Sequence, residues 1–376
     1  MIRTLLGGLS PSVFLRRHWQ KIPLLVRKAI PCFEGFADLQ SLIALAARED
    51  CESRLVIRDR GRWRVEHGPI ARSRWRHLPS GKWTLLVQGV NHFLPQARRL
   101  LEYFSFVPHA RLDDLMVSFA PPGGGVGPHF DSYDVFLLQA AGRRHWQVAR
   151  TGDLQLIEDA PLRILRRFKP QGECVMAPGD MLYLPPGWAH DGVALDDCYT
   201  YSIGFRAPRH REISVEFLAY LGERAGFEDI YSDPDLRPTR HPGMIDRLML
   251  RQLESILEAV HWRRGDVLDF VGRFLTAPKP HVRFDSPRSP MSLADFRRVA
   301  RRRGIELAPA TRLLYRGRRT FINGESALAA GALSAAVIAL ADRGALGRSS
   351  LPAGAQELGL LYRWYRDGYI RLGAIA

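Results

Sequence analysis

Apolar residues recur along this chain with two different periods, and the changes of period divide it. Up to residue 50 the spacing is helical, with Phe14, Trp19 and Ile22 through Val26 around the basic run Arg16-Arg17-His18, which reads as a lid or buttress. From Leu55 to Val65 the period falls to two, and Asp59-Arg60-Gly61-Arg62 supplies a hairpin turn; Trp83 to Val87 reads as a further strand. Residues 91 to 107 return to spacings of three and four. Short strands then follow over Leu115–Phe119, His129–Gln139, Arg144–Ala149, Glu173–Met176, Met181–Leu184 and Tyr199–Phe205, punctuated by Pro121-Pro122-Gly123-Gly124-Gly125 and by Ala141-Gly142. Evenly spaced short strands with no strand–helix alternation predict a closed or sandwiched β-architecture and argue against a doubly wound sheet.

Past Phe205 the pattern is helical again, over Glu212–Gly222, Met244–Val260 and Asp266–Thr276. Ala277 to Pro290 is Pro-rich and charged, as a linker would be. A helix over Ser292–Arg303, a hairpin through Tyr315–Arg318 and Ile322–Gly324, an Ala-rich helix and the aromatic tail Trp364, Tyr365, Tyr369 predict a small α+β unit like a winged helix. No internal repeat interrupts this order.

Composition narrows the picture little. At 376 residues, 46% hydrophobic and 25% charged, the chain is long enough for two or three soluble domains; no run has the length of a membrane span, and the N-terminal stretch lacks a signal peptide's layout. The cytoplasm is therefore the expected compartment. Cys32, Cys51, Cys174 and Cys198 are scattered without a CxxC pair, which fits reduced thiols better than a zinc cluster or a disulfide framework. The net charge of +15 rests almost wholly on arginine, since only five lysines are present, so charge alone names no partner.

The chemistry lies in two stretches. His129 and Asp131, two apart on a predicted strand, face the same side and can hold one ion. Sixty residues on, Gly179-x5-Pro185-x-Gly187-x2-His190 ends a strand in a bend that returns His190 toward them. Two imidazoles and one carboxylate with the remaining positions open form the facial triad of non-haem Fe(II) oxygenases, with room for a bidentate 2-oxo acid and O2; a hydrolytic zinc site needs only one open position. If 2-oxoglutarate is the co-substrate, its distal carboxylate needs a cation, and Arg143-Arg144 opens the next strand.

The run Gly123-Gly124-Gly125-Val126-Gly127-Pro128-His129-Phe130-Asp131, the bend Pro185-Pro186-Gly187-Trp188-Ala189-His190 and the closing Tyr201-Ser202-Ile203-Gly204-Phe205 resemble the JmjC-type ribosomal oxygenases, above all the bacterial arginine hydroxylases. Phe14-Leu15-Arg16-Arg17-His18-Trp19 and Ser232-Asp233-Pro234-Asp235 extend the likeness, which weakens after about residue 280. The resemblance implies an α+β chain: a JmjC/cupin double-stranded β-helix with N-terminal helices over residues 1–206, a helical dimerisation region over 207–290 and a winged-helix-like domain over 291–376. It implies Fe(II)- and 2-oxoglutarate-dependent β-hydroxylation of an arginine in the sixteenth large-subunit ribosomal protein, with succinate and CO2 released. His129, Asp131 and His190 take the positions of the iron ligands. Arg144, fifteen residues after the first His, takes that of the co-substrate's cation, and Ser118 and Thr200 those of further co-substrate contacts. For the substrate arginine, Tyr133 and one of Asp134 or Asp191 are the expected packing and charge partners.

Two other readings compete: a JmjC hydroxylase or demethylase of another protein, and a non-catalytic ribosome- or RNA-binding module using Arg301-Arg302-Arg303 and Arg316 to Arg319. The complete ligand set disfavours the second.

Overall fold

The computed structural model describes residues 2–79, 81–150, 152–224, 230–352 and 354–373. They form two compact units: Met1–Ala207 with Pro278–Arg312 and Ser334–Ala376, and Pro208–Ala277 with Leu313–Leu333.

The first unit is built on two antiparallel sheets. Its strands are Leu24–Val26 (β1), Ser53–Asp59 (β2), Arg62–His67 (β3), Trp83–Val87 (β4), Leu112–Ala120 (β5), His129–Phe130 (β6), Asp134–Ala141 (β7), Arg144–Arg150 (β8), Gly172–Met176 (β9), Met181–Leu184 (β10), Trp188–Ala194 (β11) and Cys198–Phe205 (β12). The larger sheet runs β1-β10-β7-β12-β5-β4-β2-β3 and the smaller β6-β11-β8-β9. This is the double-stranded β-helix expected from the sequence.

The larger sheet is buried on both faces, which explains unbroken apolar runs such as Val135 to Leu138. Alternate residues divide between two cores. Leu55, Ile57, Leu85, Phe136, Leu138, Tyr183 and Tyr201 pack with Phe14, Leu42 and Phe104 from the N-terminal segments. On the opposite face, Val135, Leu137, Leu182 and Leu184 pack with Trp146 and Met176 of the smaller sheet. Two tyrosines fasten the N-terminal segment to the sheet. The Tyr201 hydroxyl accepts from the amides of Phe36 and Ala37 at 2.8 and 2.9 Å, and the Tyr183 hydroxyl accepts from that of Gln20 at 2.8 Å. That segment is a buttress, as expected, though it carries the strand β1 within the helical stretch.

Three other expectations change. The single strand over 129–139 is two strands in different sheets, because the chain turns at Asp131 to Tyr133 and the Asp131 carbonyl accepts from Gly187 N at 2.8 Å. The helix of residues 91–107 contracts to Pro95–Glu102 behind a 3-10 turn at Val90–His92. The bend that carries His190 continues into a seven-residue strand, β11, paired with β8 throughout.

The later segments of this unit form helices Leu293–Arg303, Ala335–Arg343 and Ala355–Arg366 with a sheet of Ala345–Leu346, Ile305–Leu307 and Ile370–Leu372. Ser292 and Ser334 cap the first two by accepting from Asp295 N and Val337 N. The second unit holds helices His210–Arg224, Arg247–Glu258 and Arg264–Thr276 and a three-stranded meander, Leu313–Arg316, Arg319–Ile322 and Glu325–Leu328. Asp269 is its electrostatic centre, with Arg273 and Arg319 each 2.8 Å away. On Arg247–Glu258 no residue is buried, and Leu248, Met249, Leu250, Leu253, Ile256 and Leu257 are exposed.

Candidate metal centre and co-substrate cavity

His129 lies on β6 and His190 opposite it on β11, as direct Cα partners, so the ladder that joins the two strands also brings the rings together. Their centroids are 4.2 Å apart. Asp131 follows the end of β6, and its Oδ2 is 3.8 Å from His190 Nε2. One ligand atom from each of the three residues falls within a 4.8 Å group.

The ring nitrogens away from the cluster fix the tautomers. His129 Nδ1 lies 2.9 Å from the Gly127 carbonyl and His190 Nδ1 3.0 Å from the Trp188 carbonyl. A carbonyl only accepts, so each Nδ1 carries hydrogen and leaves its Nε2 to serve as the ligand atom whenever the ring is neutral. Burial, with the neighbouring His129, pushes the His190 imidazolium down to about 4, so this ring is neutral at neutral pH. Two imidazole nitrogens and a carboxylate on one side of a cavity fit a divalent iron with open positions, and no further Cys, His or acid joins the group among the described residues.

The cavity has a volume of about 430 Å³ and lies between the sheets. Arg144 lines it and is 3% exposed. Its Nη1 donates to Thr200 Oγ1 at 3.2 Å and to Ser118 Oγ at 3.5 Å, and its Nη2 to the Gly192 carbonyl at 3.1 Å. Thr200 in turn donates to Gln139 Oε1 at 3.1 Å. All these partners are neutral, and no carboxylate among the described residues lies within 4.0 Å of the guanidinium. Arg144 Nε and the indole Nε1 of Trp146 are buried without a partner. A buried cation with neutral neighbours and two spare donors is costly alone and suits a carboxylate guest.

The expected residues separate here. His129, Asp131, His190, Arg144, Ser118, Thr200 and Tyr133 all line this cavity. Asp134 does not: it is fully buried outside it, accepting from Tyr183 Oη at 2.6 Å, Gln20 Nε2 at 2.9 Å and Arg111 Nη2 at 3.3 Å. The break before β7 removes it from the ligand face, and its charge is already matched. Asp191 alternates with His190 on β11 and points away from the cavity lining. Arg143 pairs at the surface with Asp196.

Several cavity residues escaped sequence reading. Trp146 stacks under the Arg144 guanidinium at 4.9 Å and is its same-face neighbour on β8, a relation that strand alternation reveals. Asp114 lines the cavity in register with Ser118, and was hidden because β5 begins at Leu112 rather than Leu115. It is 6% exposed, and burial raises its carboxyl above the usual range. Arg54 and Gln88 come from β2 and the end of β4, and only the folded sheet places them here.

Fold and site together define a JmjC-type oxygenase, an enzyme that uses Fe(II), 2-oxoglutarate and O2. Residues 99–213 match the JmjC domain family, and residues 259–371 match the ROXA-like winged helix. The ribosomal protein uL16 3-hydroxylase of Escherichia coli (strain K12) is 38% identical over 285 residues, 74% of either chain. A probable ribosomal oxygenase of Haemophilus influenzae is 43% identical over 233 residues, 61% of this chain and 55% of its own length. Among solved structures, Escherichia coli YcfD superposes with a TM-score of 0.83 at 32% identity, covering 96% of this chain and 98% of that one. Another structure of that ribosomal oxygenase, in complex with cobalt and 2-oxoglutarate, gives 0.81 over 97% and 99% at the same identity. The chain belongs to the bacterial ribosomal oxygenases.

Proposed function

We propose that this protein hydroxylates the β-carbon of an arginine side chain in the large-subunit ribosomal protein uL16, using Fe(II), 2-oxoglutarate and O2. The observation that carries the reading is the pairing, in one cavity, of a three-ligand cluster with a buried arginine that has no acidic partner. The 38% identity to the Escherichia coli uL16 3-hydroxylase supports the choice of target.

His129, Asp131 and His190 would hold the iron through two Nε2 atoms and a carboxylate oxygen. Arg144, steadied by Ser118 and Thr200, would hold the distal carboxylate of 2-oxoglutarate and so turn its 2-oxo acid end toward the metal. When bound, iron and 2-oxoglutarate supply oxygen activation coupled to oxidative decarboxylation. The remaining duties of the chain are to shield and to position. Tyr133, at the mouth and 42% exposed, would pack on the substrate side chain, and the Asp114 carboxylate would meet its guanidinium. Asp134 and Asp191 have no part in this arrangement.

We assign residues 1–206 as the catalytic domain, 207–290 as a helical dimerisation region and 291–376 as the winged-helix-like domain. The exposed leucines, isoleucine and methionine of Arg247–Glu258 favour contact with a second copy. Among the described residues no helix is long and apolar enough to cross a membrane. A ribosomal protein substrate favours the cytoplasm.

The test is 2-oxoglutarate turnover by the iron-loaded full chain with a uL16 peptide spanning the target arginine, and with the same peptide carrying lysine there. Turnover that requires the arginine supports the proposal; equal turnover of both peptides refutes it.

A further inference from the structure

The buried, partnerless polar atoms of the cavity wall differ in kind around it. Beside Arg144 they are donors only, Arg144 Nε and Trp146 Nε1, as an anionic co-substrate requires. A second pair lies on β2 and at the end of β4, and it consists of one donor and one acceptor: Arg54 Nε and Gln88 Oε1.

Strand register makes these two a pair. Arg54 and Val56 line the cavity while Leu55 and Ile57 face the outer core; Thr84, Leu86 and Gln88 line it while Leu85 and Val87 face that core. Arg54 is the Cα partner of Leu86, and Gln88 N donates to the Glu52 carbonyl at 2.9 Å, so the pairing of these segments continues through Gln88. Arg54 and Gln88 are therefore diagonal neighbours on one face, roughly 7–8 Å apart with their Cβ atoms somewhat closer, and their side chains are long enough to reach a common guest. The Arg54 side chain makes no hydrogen bond or ion pair with any described residue, although Asp114 and Asp131 line the same cavity. A guanidinium and an amide oxygen left without partners in a folded wall are costly unless a guest supplies the matching groups.

We infer that Arg54 and Gln88 grip the main chain of the protein substrate beside the hydroxylated residue, Arg54 donating to one peptide carbonyl and Gln88 Oε1 accepting from one peptide N–H. A peptide chain carries this acceptor and donor at every residue, whereas a cationic side chain would be repelled by Arg54. The pair would thus fix how far the chain enters, leaving the target side chain to Asp114 and Tyr133. This inference rests on the proposal that the substrate is a protein.

The experiment uses the iron-loaded full chain and a uL16 peptide in which each peptide bond within three residues of the target arginine is replaced, one at a time, by an ester. An ester lacks the N–H that Gln88 would accept. Against the wild type, one position is expected to lose about tenfold or more in kcat/KM, the size of a lost hydrogen bond in a dry site. Against Gln88→Leu, the all-amide peptide loses a similar factor, and the ester at that position costs nothing more. Arg54→Met raises the peptide KM and leaves both kcat and the 2-oxoglutarate KM unchanged, which general damage to the fold would not do. Wild-type tolerance of every ester overturns the inference, as does an ester penalty undiminished in Gln88→Leu. If Gln88→Leu fails to fold, Gln88→Met takes its place in the comparison, and tolerance of every ester by the wild type overturns the inference without any variant. Failure of the wild type to turn over the all-amide peptide would instead count against the proposed function.

Discussion

Gly192 is the most exacting place to perturb the co-substrate end of the cavity, because it lies on β11 against two side chains that cannot move aside. A Cβ at this position would lie 2.6 and 2.7 Å from two ring carbons of Trp146 and 2.8 Å from Arg144 Nε. Carbon contacts are comfortable at about 3.5–4.0 Å, so alanine demands a shift of close to 1 Å. Trp146 is 5% exposed and Arg144 3%, so neither can swing into solvent. The Arg144 bonds to Thr200 and Ser118 are already 3.2 and 3.5 Å long, so such a shift breaks them and displaces the guanidinium. Losing a well-aligned charge-assisted contact to a carboxylate costs about 3 kcal/mol, roughly a hundredfold in affinity. Gly192→Ala is therefore expected to raise the dissociation constant for 2-oxoglutarate by about that factor, measured by anaerobic titration of the Fe(II) form. Iron content should stay near wild type, because the closest approaches of the new methyl group are to Trp146 and Arg144 rather than to His129, Asp131 or His190. A variant that binds iron normally and 2-oxoglutarate within a few-fold of wild type would refute the placement of the co-substrate against Arg144.

Asp134→Ala strips Tyr183, Gln20 and Arg111 of a shared buried acceptor, so it is expected to lower stability by about 3–5 kcal/mol in urea unfolding while the protein that remains folded keeps its peptide KM. A peptide KM that rises with no loss of stability would return Asp134 to a substrate role. In the second unit, burial opposes the charge of Asp269, but hydrogen bonds from Ser326, Arg273 and Tyr220 prevail and bring its carboxyl down from 3.8 to about 2. A depressed carboxyl stabilises the fold above its unfolded value, so about 2 kcal/mol should be present above pH 4 and fade as pH falls through about 2. Asp269→Asn should remove that acid-dependent portion of the unfolding curve; an unchanged pH profile would show that the cluster contributes nothing. If Arg247–Glu258 binds a second copy, Leu253→Glu should shift the protein from dimer to monomer in sedimentation velocity, and an unaltered distribution would dismiss that face.

The grouping of His129, Asp131 and His190 was legible because a short-range pattern encodes it. His129 and Asp131 are neighbours in sequence, and the Gly-Pro-Gly bend before His190 has a local conformational purpose. Arg144 was legible for the same reason, opening a strand just after a turn. What failed was extrapolation along a strand. Continuing β6 through Asp134 ignored the turn at Asp131 to Tyr133, which hands the chain from one sheet to the other and turns Asp134 into a closed network. Asp191 fell to alternation, one residue from His190 and on the other face. Arg54 and Gln88 lie thirty-four positions apart, beyond reach of any periodicity, and meet only because β2 and β4 pair within the larger sheet. The double-stranded β-helix was readable from strand spacing and from the family likeness together; the order of its strands was not, since it depends on pairings across the chain.

The account as a whole requires that this protein add one oxygen atom to uL16. Intact-mass measurement of the large-subunit ribosomal proteins from cells with and without the gene tests this directly. The expected result is a uL16 heavier by one oxygen when the gene is present, the gain mapping to an arginine and vanishing when the chromosomal copy carries Asp131→Ala. A uL16 of the same mass in both cells, or a gain that survives Asp131→Ala, would contradict it.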